Sequence, residues 1–442
     1  MTIPKARLVP VFFASGKDAD FDRQMDNLRE LLASEADILE PVALGAPLPD
    51  ADAVLFPQLL GEAYGRLSDL KAMPPPFLII TSEFGSMSMW DWEINTFLRH
   101  NGLTTLTPHN LDMAKKTCRA LALKRDLKHT RFLVFQDNPG EGMQADIFKR
   151  FFWWEKECTD GIKNKFGVNL VKRSFQALAE SARQIPDAEA DEAIQRRGGI
   201  PTADVTPRAL RSAIKLYLAV KRELATDPSI KGVGINCLNE SRFCDTTPCL
   251  AWNLLYEEQG MIWACEADVL VLMTKYLVHT ALGAPIMMTN LYPFLMGMAA
   301  LKHERIPAFP RVDDPDDHLL AAHCGYFGVV PQSFSTDWVL RPKVLAIVDD
   351  NATAIDARMP VGDITLTKLH PSLSKIMVVK AALEGYVQYP GSDCRNGAVV
   401  RVPDGARFLD AIYSHHYLIA TGDRRAEMAM LARVFDLQID AV

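Results

Sequence analysis

The first half of this chain repeats one pattern, a short aliphatic run followed by an amphipathic stretch, and that pattern limits its fold more than any other feature. LVPVFF precedes DFDRQMDNLRELLASE, ADAVLFPQLL precedes EAYGRLSDLKAM, and FLIITSE, LTTLTP, LDMAKKTCRALALKRDL and RFLVFQD continue the series. Short runs bounded by turn residues read as buried strands, and stretches of 3.6-residue periodicity read as helices. Their alternation predicts an α/β chain with N-terminal parallel open-sheet lobes. A single core does not extend over 442 residues, so several domains are expected. The Pro74–Pro76 run suggests a boundary between an N-terminal lobe (1–74) and a second α/β lobe (75–175). The polar stretch Ala188–Asp204 reads as the connection into a central α/β domain (176–340) that carries the site segments. After about Trp338 the runs KVLAIVDD, GDITLTKL, KIMVVKAALEGYVQYP and GAVVRVPDG predict a mainly β C-terminal domain (341–442), closed by a helix over Arg424–Leu437.

Charge and sorting signals narrow the function. A net charge of -7 without a Lys/Arg cluster argues against nucleic acid as a partner. No segment approaches the roughly 20 apolar residues of a spanning helix, and the N-terminal apolar run is shorter than an export signal. A cytoplasmic protein with no membrane partner is expected. The eight cysteines are scattered without CxxC spacing, which predicts reduced thiols rather than a disulfide framework.

Chemistry gathers in the second half. MIWACEADV reads as a buried strand ending on Glu266, followed by a helix apolar on nearly every side, a stop at Gly283 and a second strand, APIMM, ending at Thr289 and Asn290. If this is a right-handed crossover between parallel strands, Glu266 and Asn290 share the carboxyl rim where open sheets bind ligands. Later segments supply His323, in AAHCGYFG, and the pair His415 and His416, of which one member points inward. One carboxylate with imidazoles is a ligand set for a divalent ion that leaves positions open for substrate. Each residue also has a plainer reading, since a strand-end Glu is often a cap or ion-pair member and a lone His is often a hydrogen-bonded core residue.

Other segments are candidates for substrate contact. Trp90, Asp91, Trp92 and Glu93 set aromatic faces beside carboxylates, as sugar sites do, although lobe packing explains them equally. Asn239, Glu240 and Arg242 follow the strand GVGIN, and Tyr292 follows Asn290. The loop DNPGEG offers backbone N–H groups to an anion. A long helix is expected over DIFKRFFWWEKECTDGIKNKFG, with Phe151, Phe152, Trp153 and Trp154 exceeding what one face buries, so that two neighbouring positions point toward another domain or subunit and a homo-oligomer is expected.

Across residues 231 to 425 the chain resembles the L-fucose isomerase and L-arabinose isomerase-like family. PCLAWNLLYEEQGMIWACEADV is similar to the family's segment with a metal-binding acid, AAHCGYFGVVP to the segment supplying a His, SHHY to its late HisHis motif, and GDITLTKL to a strand of its C-terminal domain. The resemblance implies three domains, a manganese-type ion held by Glu266, His323 and one of His415 or His416, and a site completed by a neighbouring subunit. Where the family has a second carboxylate, this chain has Thr289 and Asn290, and an amide supplies neither a base nor an anionic ligand. Three functions follow as expectations: isomerisation or epimerisation of a small or deoxy sugar through an ene-diol, with Glu266 as base; a metal-assisted lyase reaction on a modified sugar or sugar acid; or sugar binding without catalysis.

Overall fold

In the computed structural model, residues 3–74, 76–137, 146–295, 311–345, 348–389, 392 and 396–442 are described, and they form a mixed α/β fold. The first sheet is parallel, in the order Ala36–Ile38, Ala6–Phe12, Ala53–Phe56, Phe77–Ile79, Thr105–Leu106. Its strands are buried on both faces: Val9, Val54, Phe56 and Phe77 enter one core, and Leu8, Leu55 and Leu78 the other. The sheet continues through the predicted boundary at Pro74–Pro76, because Val54 pairs with Phe77 and the Val54 N–H donates to the Pro76 carbonyl. A proline at a strand entrance needs no ladder donor, so it interrupts nothing here.

A second parallel sheet runs Ile262–Ala264, Ile230–Ile235, Arg131–Phe135, Asn169–Arg173. It therefore draws strands from both sides of residue 176. The stretch expected to be a connection contains the helix Asp187–Gln195, tied to the helix Pro207–Ala225 by the ion pairs Lys215–Asp187, Arg211–Asp191 and Arg222–Glu189. Ala- and Glu-rich composition explains it, and polarity alone was a poor guide.

The third sheet closes on itself through six antiparallel strands, with Gln438–Asp440 added parallel to Lys375–Val387. Its circuit is Gly362–Leu369, His416–Thr421, Ile286–Pro293, His318–Ala322, Gly397–Arg401, Lys375–Val387 and back to Gly362–Leu369. A bulge at Leu383/Gly385 bends the longest strand as the barrel closes. The barrel begins at Ile286 rather than 341, and among the described residues KVLAIVDD contributes no strand.

The helix Val269–Leu282 explains why the expected crossover is absent. Because it is apolar on every side, it is clasped between two layers instead of covering one. Tyr276 packs edge-on against Phe132 of the second sheet (5.4 Å), while Thr274 Oγ1 accepts from the Leu369 N–H of the barrel (3.1 Å). The chain enters this helix from one sheet and leaves it into another, so the strands bearing Ala264 and Asn290 are not parallel neighbours.

Candidate metal centre

Glu266 follows the strand Ile262–Ala264 in a tight turn, and its carboxylate points into the gap between the second sheet and the barrel. The turn is strained: Glu266 and Ala267 have φ of 55° and 54°, in the left-handed region that side chains disfavour. Cys324, next to His323, has φ 55°, and Trp153 has φ 63°. Four of the eight non-glycine residues with positive φ among the described residues thus sit at or against this site.

Glu266, His323 and His416 converge, each buried, with one ligand atom apiece all within 4.8 Å of one another. Glu266 Oε1 lies 3.6 Å from His416 Nε2 and 3.9 Å from His323 Nε2. The His416 Nδ1–H donates to Asp268 Oδ2 (2.8 Å), which leaves Nε2 to face Glu266. His323 Nδ1 lies 3.0 Å from Cys324 Sγ, so its Nε2 faces the same point. Among the described residues both Nε2 atoms are buried without a hydrogen-bond partner, as is Asn290 Oδ1. Buried acceptors converging with a carboxylate and bonded to nothing else fit a divalent ion.

Asp268 orders the centre from behind. It caps the central helix by accepting from the Val271 N–H (2.9 Å), holds His416, and lies 3.7 Å from Lys368 Nζ, which donates to Ser414 Oγ (2.6 Å). A carboxylate behind a metal-binding imidazole fixes its tautomer and orientation. Phe152 completes the wall, stacked on His416 at 4.7 Å and 8°. The expected long helix breaks at Trp153 into Phe148–Phe151 and Lys156–Phe166, since Phe152 and Trp154, whose Nε1–H donates to the Ala267 carbonyl (2.9 Å), both turn toward the site. Phe152, Trp153 and Trp154 are buried within the chain, and of the four aromatics only Phe151 is exposed. Of the two expected partners, another domain or a subunit, these three meet other elements of the same chain.

The charges follow from this packing. Burial raises the Glu266 carboxyl, but the neighbouring charge of His416, with His323 and His415, outweighs it and holds the group at about 2. Burial lowers His416, yet Glu266 and Asp268 outweigh it and raise the imidazole above its usual 6.5. His323, lowered by burial to about 4, is neutral and ready to ligate. Without an ion, the charge on His416 stabilises the fold fully below 6.5, and this contribution fades as pH rises through the raised value. An ion must displace that proton, so binding should release about one proton per ion between 6.5 and the raised value, and none well above it. Calorimetric titration with Mn2+ in buffers of different ionisation enthalpy measures this; release that stays the same from 6.5 to well above the raised value would contradict it.

Of the other expected residues, Asn290 lies beside His416, though by another route. It lies directly opposite His416 in the antiparallel ladder, which puts both side chains on one barrel face, and its Nδ2–H donates to Tyr292 Oη (3.1 Å). His415 stands beside the triad rather than in it, packed near Phe148 and Phe152 and lowered to about 3, chiefly by burial. The turn after Ile230–Ile235 holds Asn239 and Glu240, both buried, and the Asp137 N–H donates to both Glu240 oxygens (2.9 and 3.1 Å). Arg242 lies over Phe243, 4.6 Å from the ring centre. Trp90 and Trp92 are exposed at the first sheet, and Asp91 accepts from Thr81 Oγ1 beside them. Residues 138–142 of the DNPGEG loop lie outside the described residues, as does Cys394; the other seven cysteines are free thiols. No helix among the described residues is long and apolar enough to cross a membrane. No protein-family model and no curated protein matches this chain.

Sequence reasoning missed Asp268, Lys368 and Phe152. Asp268 was marked by its place before an apolar helix, an N-cap signature. Lys368 carried a fainter signal, a charge inside the strand TLTKL.

Proposed function

We propose that this chain is a divalent-metal-dependent enzyme that interconverts the aldose and ketose forms of a small sugar, or epimerises it, through an ene-diol. The observation that supports this reading is the convergence of Glu266 with two unpartnered imidazole nitrogens in a buried space. Glu266, His323 and His416 would hold the ion, for which we propose manganese; when bound, it polarises a substrate carbonyl and the adjacent hydroxyl. Glu266, ionised well below neutral pH, takes the proton from one carbon on a carboxylate oxygen and returns it to the next. Asn290 Oδ1 accepts a hydrogen bond from a substrate hydroxyl, with the amide oriented by Tyr292. Phe152 and the barrel wall keep water away from the intermediate. Incubation with a panel of aldoses and ketoses in deuterated water, with Mn2+ added, tests the reading: deuterium at the carbon next to the carbonyl is expected, and its absence across the panel would contradict it.

A second reading, a lyase acting on a modified sugar or sugar acid, is favoured by one observation. Asp268 is committed to Lys368 and His416 behind the centre, so of these two carboxylates Glu266 alone belongs to the converging group with His323 and His416. One base suffices for abstraction followed by elimination, and product analysis by NMR separates the two reactions. Sugar binding without turnover would appear as bound sugar with no exchange.

Asn290→Asp should tighten Mn2+ binding by about tenfold or more, since it sets a second anionic ligand opposite His416. Calorimetric titration checks this; equal or weaker binding would place residue 290 away from the ion.

We also propose a homo-oligomer, now supported by the exposed Phe84, Met89, Trp90 and Trp92 in one segment of the first sheet. Light scattering at micromolar concentration should give a mass above the 49.2 kDa monomer. A monomer would contradict it.

A further inference from the structure

The carboxyl rim of the second sheet holds two more buried amides that nothing in the metal centre uses. Gln136 directly follows the strand Arg131–Phe135, and Asn236 directly follows the adjacent strand Ile230–Ile235. Gln136 is 7% exposed and Asn236 0%, yet among the described residues the oxygen and nitrogen of both amides have no hydrogen-bond partner. Four polar atoms buried away from other protein groups call for a polar partner, from ordered water or from a bound ligand.

Strand alternation shows which way they face. A Cβ on Gly232 would lie 3.2 Å from Leu272 of the central helix, and one on Gly234 would lie 3.1 Å from the Cα of Ala267, beside Glu266. Asn236 continues that alternation, so it projects on the side of the Glu266 turn. On the neighbouring strand, Phe132 packs on Tyr276 of the same helix, and Gln136 shares the parity of Phe132. Both amides therefore leave the sheet on the face where the barrel brings in His323, His416 and Asn290.

We propose that Gln136 and Asn236 form a neutral subsite beside the Glu266–His323–His416 centre that binds adjacent hydroxyls of an uncharged polyol. Each primary amide offers a donor and an acceptor, matching a hydroxyl, which also does both. A carboxylate or phosphate would leave the amide oxygens facing acceptors. Of the buried lysines, Lys368 is already held by Asp268 and Ser414, and Lys275 lies over the Trp263 ring, 2.9 Å from its centre. The proposal extends the sugar-enzyme reading to a substrate class and rests on that reading for what lies next to the amides.

The test uses non-reacting five- and six-carbon alditols, with the matching aldonates and alditol phosphates, titrated calorimetrically into the Mn2+-treated full chain. Gln136→Met and Asn236→Leu keep the side-chain volume and remove the polar atoms. Alditol affinity should fall about tenfold or more in each, with Mn2+ affinity within about twofold and Tm unchanged or higher, because an unsatisfied buried amide has been removed. Gln136→Glu and Asn236→Asp, which replace the amide donors by a charged oxygen, should weaken alditol binding as well. Unchanged alditol affinity in the variants overturns the proposal, above all if Tm falls, which would assign the amides a structural role. So does an unmodified protein that binds no alditol, or that prefers aldonates or phosphates. If the unmodified protein binds alditol but not Mn2+, the metal reading fails, and the amide subsite is judged on the same variants without metal.

Discussion

Glu266→Gln should abolish turnover and nearly all metal affinity while leaving the fold in place. Two losses compound: the amide is a poor ligand for a divalent ion, and it cannot carry a proton at neutral pH. Loss of a positioned base alone costs about 10²–10⁴ in rate, so with the ligand also gone activity should fall by at least about 10³. Gln has nearly the same shape and can still meet His416 across the 3.6 Å gap. The metal-free proteins should differ in acid: the lowered Glu266 carboxyl contributes stability that is complete above its usual 4.5 and is lost as pH falls through about 2. The variant should lack that component. Mn2+ titration, exchange into deuterated water and thermal melts between pH 2 and 7 check the three parts. Near-normal exchange would remove Glu266 from the mechanism.

The second large effect belongs to Asp268, a positioning residue that never touches the ion. Asp268→Asn should keep the helix cap, because Asn also accepts from the Val271 N–H, but it removes the carboxylate 3.7 Å from Lys368, a lysine only 1% exposed. Removing one partner of a buried ion pair costs roughly 3–5 kcal/mol. It also frees the His416 ring, and such losses typically weaken metal binding about 10–100-fold. The two effects are separable: adding Lys368→Met should restore most of the stability but not the metal affinity. Denaturant unfolding and Mn2+ titration of the single and double variants measure both. Full recovery of metal affinity in the double variant would show that Asp268 acts only through the fold.

The mixed α/β fold and the three segments that supply the triad were legible in the sequence, since both rest on local signals: apolar periodicity, a strand end followed by Glu266, and histidines near turns. The way those segments meet was not. A crossover from Ala264 to Ile286 was the simplest reading of strand, helix, strand, but an all-round apolar helix is equally the mark of one clasped between two layers. Here that alternative holds, and it changes the sheet in which Asn290 lies. The barrel start was misread because Ile286–Pro293 and His318–Ala322 look like any buried strands, and their antiparallel pairing with distant partners leaves no local trace. The aromatic run at Phe151–Trp154 failed for a related reason. Helical periodicity predicts outward-facing rings, whereas contacts with His416 and Ala267 break the helix and turn them inward.

The central claim is that Glu266, His323 and His416 share one divalent ion. The most direct measurement is an anomalous-difference map at the manganese absorption edge from a crystal of the unmodified protein equilibrated with Mn2+ at pH 8. The expected result is one strong buried peak within coordinating distance of the Glu266 carboxylate and the Nε2 atoms of His323 and His416, about 2.0–2.3 Å from each. A peak elsewhere, or none between these three side chains at saturating Mn2+, would contradict it.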